Sequence, residues 1–381
     1  MENEKFTFKE KMLAFTKKHK KRALPHSIIG VFVTLVILLA ANWWPLPERE
    51  TLAETGSQEE ESIFTASMVG DMMLGRYVSN VIDHRGGNFL LHYAQPYFDE
   101  ADYVTGNLEN PLLIDGHDYV PADKEIHLEA PSETVQILED AGFSTVNIAN
   151  NHILDYGQQG LYDTLDVLDQ SSVNAVGQVQ NPAIDYQSIN GITVATIGFN
   201  DVYYGGGQEG VLSATPSESL EYIKAAKSGQ DAADLVIAHV HAGVEYTSTP
   251  TERQEQLMKA YVDAGADIVI GHHPHVLQSV ETYNDGIIFY SLGNFIFDQG
   301  WTRTRDTALA QYHLYEDGRA EIELVPFRVH EAQPRAITGP REEYFKQRIF
   351  QQLTKDTTDD QAYEIRDGRL IFEVDHRHVV N

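Results

Sequence analysis

From Ile63 onward, short apolar runs suited to β-strands alternate with amphipathic stretches suited to helices. The strand-like runs are FTASMV (64–69), YVTGNL (103–108), STVNIA (144–149), ITVATIGF (192–199), DLVIAHV (234–240), DIVIG (267–271) and IIFYSLGNF (287–295). Such alternation restricts the chain to an α/β fold with a mixed, layered sheet and helices on its faces. Several helical stretches carry end signals. Ser132 is expected to cap a helix that closes at Gly142, and Gly157 to Leu168 has apolar residues at helical spacing. Thr249-Pro250-Thr251-Glu252 reads as a capping box with Pro at the first helical position, and Gly265 ends that helix. Asn190-Gly191 and Asn284-Asp285-Gly286 read as hairpin turns. After Phe327 the pattern weakens to one last hairpin, Tyr363 to Val374, turning at Asp367-Gly368. No internal repeat is visible.

The N-terminal end is of a different kind. Residues 1–26 carry eight Lys/Arg and three Glu, a net of +5, and the other 355 residues carry twenty Lys/Arg and fifty-four Asp/Glu, a net of −34. At the boundary lies IIGVFVTLVILLAA (28–41), uncharged, with Lys17 to Arg22 before it and Trp43-Trp44 after it. A basic flank stays cytoplasmic, and paired Trp suits the far interface. Residues 27–44 approach the minimum needed to cross roughly 30 Å of hydrocarbon in a helix. A cleaved signal peptide is the competing reading, but the long basic region and the lack of a small-x-small site at 40–44 favour an uncleaved, N-in anchor. The expected organisation is a cytoplasmic basic segment (1–26), a transmembrane anchor (27–44), an acidic linker (45–62), an extracytoplasmic folded domain (63–335) and a C-terminal extension with a β-hairpin (336–381).

Composition removes several functions. Cysteine is absent, which excludes disulfides, thiolate zinc, iron–sulfur clusters, a cysteine nucleophile and a lipidated cysteine. A net charge of −29 is the wrong sign for a nucleic-acid binder. No P-loop or other nucleotide-binding pattern occurs.

Residues suited to metal binding follow the strand-like runs: Asp71, Glu109, Asn151 with His152, His241, and His273 with His275. In open α/β sheets ligands bind beyond the carboxyl ends of strands, so these ends would converge on one crevice. Singly, each has an ordinary alternative. Asp71 can be a turn residue, Glu109 can cap a loop, and Asn150-Asn151 can form a turn. His239 alternates with His241 and is expected to point into the sheet, while His272 is open. Oxygen and imidazole donors without sulfur suit Mn, Fe or Zn better than Ca or Mg. Arg76 either faces an anionic group there or makes an ordinary surface salt bridge. Trp301, Arg303 and Arg305, in WTRTRD on an otherwise acidic domain, can engage a polyanion or belong to a plain solvated loop.

The ordered strings GDMMLGR, NLENP, NIANNHILDYGQQG, HAGVEY, GHHPHVLQ and SLGNFIFDQ resemble the CapA/PgsA family of poly-γ-glutamate capsule-synthesis proteins over nearly the whole chain. That family is similar to calcineurin-like metallophosphoesterases, and the resemblance implies a two-sheet β-sandwich flanked by helices. It implies that Asp71, Glu109, Asn151, His241, His273 and His275 hold one or two divalent transition-metal ions, Glu109 standing where the phosphoesterases have a bridging aspartate. It implies that His152 acts on the substrate as proton donor or oxyanion stabiliser. The phosphoesterase Asp-x-His is here Asp71-Met72-Met73, one imidazole fewer. The implied role is an accessory subunit of polymer synthesis and export, beside membrane-embedded ligase and export subunits, with the polymer as partner. The rival within enzymes is a metal-dependent hydrolase of a phosphoester or of the polymer's amide bonds. The rival outside enzymes is a polymer-binding scaffold.

Overall fold

The computed structural model describes residues 7–20, 27–35, 61–179, 182–203, 209–229, 232–301, 303–356 and 362–380. The chain forms two units, Met1–Glu60 and Glu61–Asn381. In the first, α1 (Phe8–His19) carries Lys17 and Lys18, and α2 covers 27–35. No helix among the described residues is long and apolar enough to cross a membrane. Of the expected anchor at 27–44, residues 36–44 lie outside the described residues, as do 45–60 of the linker.

The second unit is a mixed α/β fold built on two large sheets. The first has the order β17-β18-β15-β14-β1-β2-β5-β6, with β13 on β1 and β16 on β15. Its strands are β1 (Phe64–Met72), β2 (Tyr103–Leu108), β5 (Thr145–Asn147), β6 (Asn174–Val176), β13 (Asn294–Ile296), β14 (Asp306–Leu314), β15 (Arg319–His330), β16 (Gln333–Ala336), β17 (Tyr363–Arg366) and β18 (Arg369–Asp375). The second sheet runs β11-β12-β10-β9-β8-β7. It comprises β7 (Asp185–Ile189), β8 (Ile192–Asn200), β9 (Leu235–His241), β10 (Ile268–His272), β11 (Val280–Tyr283) and β12 (Gly286–Phe289). Two short strands, β3 (Leu112–Leu113) and β4 (Ala130–Pro131), pair apart from both.

Period-two alternation explains the layering. Phe64, Ala66 and Met68 of β1 share one core with Val194, Leu235, Ile270 and Phe289 of the other sheet. Val69 and Met72 of β1 face the opposite way, under α3 (Arg76–Arg85), α4 (Asn88–Leu91), α5 (Gln95–Asp99), α6 (Val135–Asp140) and α7 (Gly157–Asp169). The outer face of the second sheet is covered by α8 (Pro216–Ser228) and α9 (Glu252–Ala264) through Ile223, Leu257 and Tyr261. One further helix, α10 (Glu342–Leu353), packs Ile349 and Leu353 against the shared core. Each fully buried Phe, Leu or Ile contributes roughly 1.5–3 kcal/mol, so the three cores dominate stability.

Three local expectations are corrected. The run at 287–295 is two strands in different sheets, β12 and β13, because Gly293 adopts a φ of 73° that turns the chain. Ser132 lies inside a 3-10 turn (Ser132–Thr134) leading into α6 and makes no side-chain cap. The capping box of α9 is Thr251 with Gln254, so Pro250 precedes the cap and Thr249 takes no part in it. The hairpins turn at Asn190-Gly191 and Asp367-Gly368 with positive φ at both residues. The last hairpin bonds to β15 and so extends the first sheet.

Candidate metal centre

The parallel strands of both sheets end on the same side, and their last residues stand in register. Across the first sheet Asp71 is opposite Asn294 on one side and Asn107 on the other, and Asn107 is opposite Asn147. Across the second, Asn200, His241 and His272 form a matching row. A bulge at the end of β1 shifts register around Asp71, re-aiming its side chain. Gly70 permits this, since a Cβ there would lie 1.9 Å from the Gly293 carbonyl oxygen.

Asp71 is fully buried and held from several sides. Its Oδ1 accepts from Asn107 Nδ2 at 3.0 Å and meets His272 Nδ1 at 3.1 Å. Its Oδ2 accepts from the His273 backbone N–H at 3.2 Å and lies 3.4 Å from His275 Nδ1. Burial alone would raise its pKa, but the bonds from His272 and His275 hold it well below the usual carboxylate range. Glu109 is the reverse case. It is fully buried, neither carboxylate oxygen has a hydrogen-bond donor, and its charge partner is His275, Nε2 lying 3.4 Å from Oε1. Burial pushes Glu109 well above its ordinary pKa. Burial pulls His275 down, yet the charge of Glu109 and the bond to Asp71 outweigh it and raise His275 to about 9. Burial takes His241 well below its ordinary value and His273 to about 3. His273 and His275 also have φ of 96° and 57°, a local strain of roughly 1–3 kcal/mol each that surrounding structure must sustain.

Two groups have donor atoms mutually within 4.8 Å: Asp71, Glu109 and His275, and Glu245, His273 and His275. His275 belongs to both. His241 lies beside the second group, its ring centroid 4.9 Å from that of His273, and its Nε2 meets Asn151 Oδ1 at 2.7 Å. The unsatisfied Glu109 oxygens and the mixed carboxylate–imidazole donors fit a divalent transition metal.

Beside Asn151, His152 forms a dyad. Its Nδ1 meets Asp155 Oδ2 at 2.7 Å and lies 3.2 Å from Lys124 Nζ. Lys124 also ion-pairs with Asp155 and donates to the Asn151 carbonyl at 2.9 Å. Burial lowers the His152 pKa despite Asp155. Donation from Nδ1 to Asp155 would leave Nε2 as the basic nitrogen. Asn150 is the turn residue, its Oδ1 accepting from the His152 and Ile153 backbone N–H groups, each at 2.9 Å.

Asp71, Glu109, Asn151, His152, His241, His273 and His275 are thus gathered into one region. Arg76 is 43% exposed and ion-pairs through Nε with Asp298 Oδ2 at 3.1 Å. Trp301 is exposed and packs on Tyr246 at 5.2 Å between centroids, and Tyr246 lies 6.2 Å from His275. Arg303 is exposed, whereas Arg305 donates from Nε to the Val329 carbonyl at 2.7 Å. His239 is a satisfied core residue, bonded to Thr105 Oγ1 and His272 Nε2 at 3.0 Å each. Sequence reasoning passed over Glu245, four residues after His241 in the same strand-end loop. It also missed Asn294, whose Oδ1 meets His275 Nδ1 at 2.8 Å, though Asn294 sits in a string already singled out. Asn107 and Asn147 likewise open the strings NLENP and NIANNHILDYGQQG, but their part, like that of Lys124, is visible only once distant segments pair.

The protein is thus an α/β sandwich of two helix-covered sheets whose strand ends enclose a buried carboxylate–imidazole cluster. Residues 65–299 match the family model described as bacterial capsule synthesis protein PGA_cap, and the chain belongs to that family. It is 44% identical to the capsule biosynthesis protein CapA of Bacillus anthracis, over 99% of this chain and 93% of that protein. It is 42% identical to the PGA biosynthesis protein CapA of Bacillus subtilis, over 97% of each. A probable polyglutamine synthesis accessory protein of Mycobacterium tuberculosis is 24% identical over 62% of this chain and 75% of that one. Among solved structures, a 5′-nucleotidase from Candida albicans superposes with a TM-score of 0.38 at 12% identity, over 67% of this chain and 47% of that one. So distant a likeness says nothing about activity.

Proposed function

We propose that this protein is a membrane-anchored, extracytoplasmic accessory subunit of poly-γ-glutamate synthesis and export. It works beside membrane-embedded ligase and export subunits and carries one or two Mn, Fe or Zn ions. Full-length similarity to two capsule or PGA biosynthesis proteins supports the role, and the +5/−34 charge split about an apolar segment supports the topology. The observation that carries the metal reading is Glu109, a wholly buried carboxylate without a hydrogen-bond donor, facing Asp71 and His275. Asp71, Glu109, Asn151, His241, His273 and His275 hold the metal in this reading, and Glu245 joins them by position. A divalent ion there supplies Lewis-acid polarisation of a carbonyl or phosphoryl oxygen.

The hydrolase reading is favoured by the His152–Asp155 pair. Asp155 fixes the ring, Lys124 offsets the Asp155 charge, and His152 Nε2 takes or returns a proton beside Asn151. Arg76 neutralises an anionic substrate group after leaving Asp298. Trp301, Arg303 and Arg305 guide the polymer. Two measurements test the proposal in cells. Loss of the chain should abolish extracellular polymer, and wild-type chain should restore it. Protease added to intact protoplasts should digest the domain from Ile63 and spare about the first 25 residues. Undiminished polymer overturns the role, and protection of the whole chain overturns the topology.

A further inference from the structure

Residues 27–381 carry twenty Lys/Arg against fifty-four Asp/Glu, yet six of those cations gather on one band. Arg85 and Arg335 share Glu331, with Nη2 of each 3.0 and 3.3 Å from Oε2, and both guanidinium groups lie over the Phe89 ring. Arg328 and Arg348 share Asp306, at 2.9 and 2.6 Å from Oδ1, and both lie over the Phe345 ring. Arg305 joins the two pairs, lying in the field of Arg328, Arg335 and Asp306. Arg303 lines a groove of about 210 Å³ with Arg348, Asp306 and Ser248, and it has no ion-pair partner among the described residues. Six guanidinium groups against two carboxylates leave four positive charges in surplus. The band begins beside the buried cluster, because Asn294 donates from Nδ2 to the Thr304 carbonyl at 3.3 Å while its Oδ1 holds His275.

We propose that this arginine band is a track for a polycarboxylate chain, binding several side-chain carboxylates at once and leading the chain past the cluster. This rests on the polymer role given above and adds the surface that performs it. The band shows its own preference: each arginine pair already grips one carboxylate against an aromatic face, the planar geometry a guanidinium suits. A single half-exposed contact of this kind is weak. Monomeric glutamate is therefore held poorly, and a chain that spans several arginines is held by multivalency. The local surplus also offsets the repulsion that an acidic domain exerts on a polyanion.

The test uses full-length chain in detergent and fluorescently labelled poly-γ-glutamate, read by anisotropy. Wild type should bind the polymer and not glutamate at equal residue concentration, with affinity falling as salt rises. Arg85→Gln with Arg303→Gln should weaken binding about tenfold, and Arg85→Glu with Arg303→Glu should weaken it further. Melting temperature should change little in the Gln pair, and metal content should be unchanged in both. Equal binding by the variants overturns the track while leaving the polymer role standing. Tighter binding of polyphosphate, or of anionic lipid vesicles, than of poly-γ-glutamate at equal charge overturns the ligand class. No binding of any polyanion also overturns the track, and polymer yield from cells lacking the chain then decides the role separately.

Discussion

Replacing Glu109 by Gln should move the stability of the metal-free and metal-bound protein in opposite directions. In the metal-free protein the carboxylate is fully buried without a donor, and its pKa is raised by burial. A raised carboxylate pKa means that stability is fully present below the unfolded value of 4.5 and is lost as pH rises from there through the raised folded value. At pH 7 Glu109 is therefore a burden that an uncharged, nearly isosteric amide relieves, and the metal-free melting temperature should not fall. His275 should drop from about 9, since the Glu109 charge is the largest influence raising it. With metal the sign inverts. Free metal at a hundred times Kd stabilises the folded state by about 2.7 kcal/mol. Residues 61–381 form one unit, and at ~2.1 cal/mol/K per residue its unfolding entropy is about 0.7 kcal/mol/K, giving a shift of about 4 °C. Loss of a carboxylate ligand that weakens binding about a hundredfold leaves ~0.4 kcal/mol, under about 1 °C. Thermal denaturation of both proteins with and without Mn or Zn, with metal counted by elemental analysis, reads both effects. A variant that melts lower without metal, or that keeps the full metal shift, refutes the reasoning.

Metal affinity should rise with pH up to about 9, because metal displaces protons from His275, raised to about 9, and from Glu109, also raised. Calorimetry in buffers of different ionisation enthalpy should show proton release. In the metal-free protein, the stabilisation from protonated His275 is complete below 6.5 and fades as pH rises through about 9; pH-dependent melting tests this. His152→Ala should leave metal content and melting temperature nearly intact while lowering any hydrolytic rate ~10²–10⁴-fold, and unchanged polymer yield and length would assign the site to binding. Gly70→Ala places a Cβ 1.9 Å from the Gly293 carbonyl oxygen, so it should cost roughly 1–3 kcal/mol and weaken metal binding through the adjoining Asn294; unchanged melting would contradict the close packing of these strands.

What the sequence determined by itself was local or periodic. Strand and helix runs, hairpin turns at Asn190-Gly191 and Asp367-Gly368, and polar residues at strand ends follow from side-chain alternation and turn chemistry read within a few residues. The ordered motifs sufficed for family membership. Pairing was decided only by tertiary structure. The run at 287–295 passes from one sheet to the other because Gly293 turns the chain, which period-two patterning cannot show. His272 and His239 became a buried hydrogen-bonded pair supporting Asp71, whereas His273 and His275 turned to the cluster through positive φ; one string of neighbouring histidines divides its tasks by backbone conformation. Asn107, Asn147 and Lys124 lie 36, 76 and 53 positions beyond Asp71 and are meaningful only in strand register or across a folded loop. The arginine band is the extreme case: from Arg85 to Arg348 it is scattered along the chain, and only packing of α3, β15, β16 and α10 concentrates positive charge on a protein whose composition is acidic.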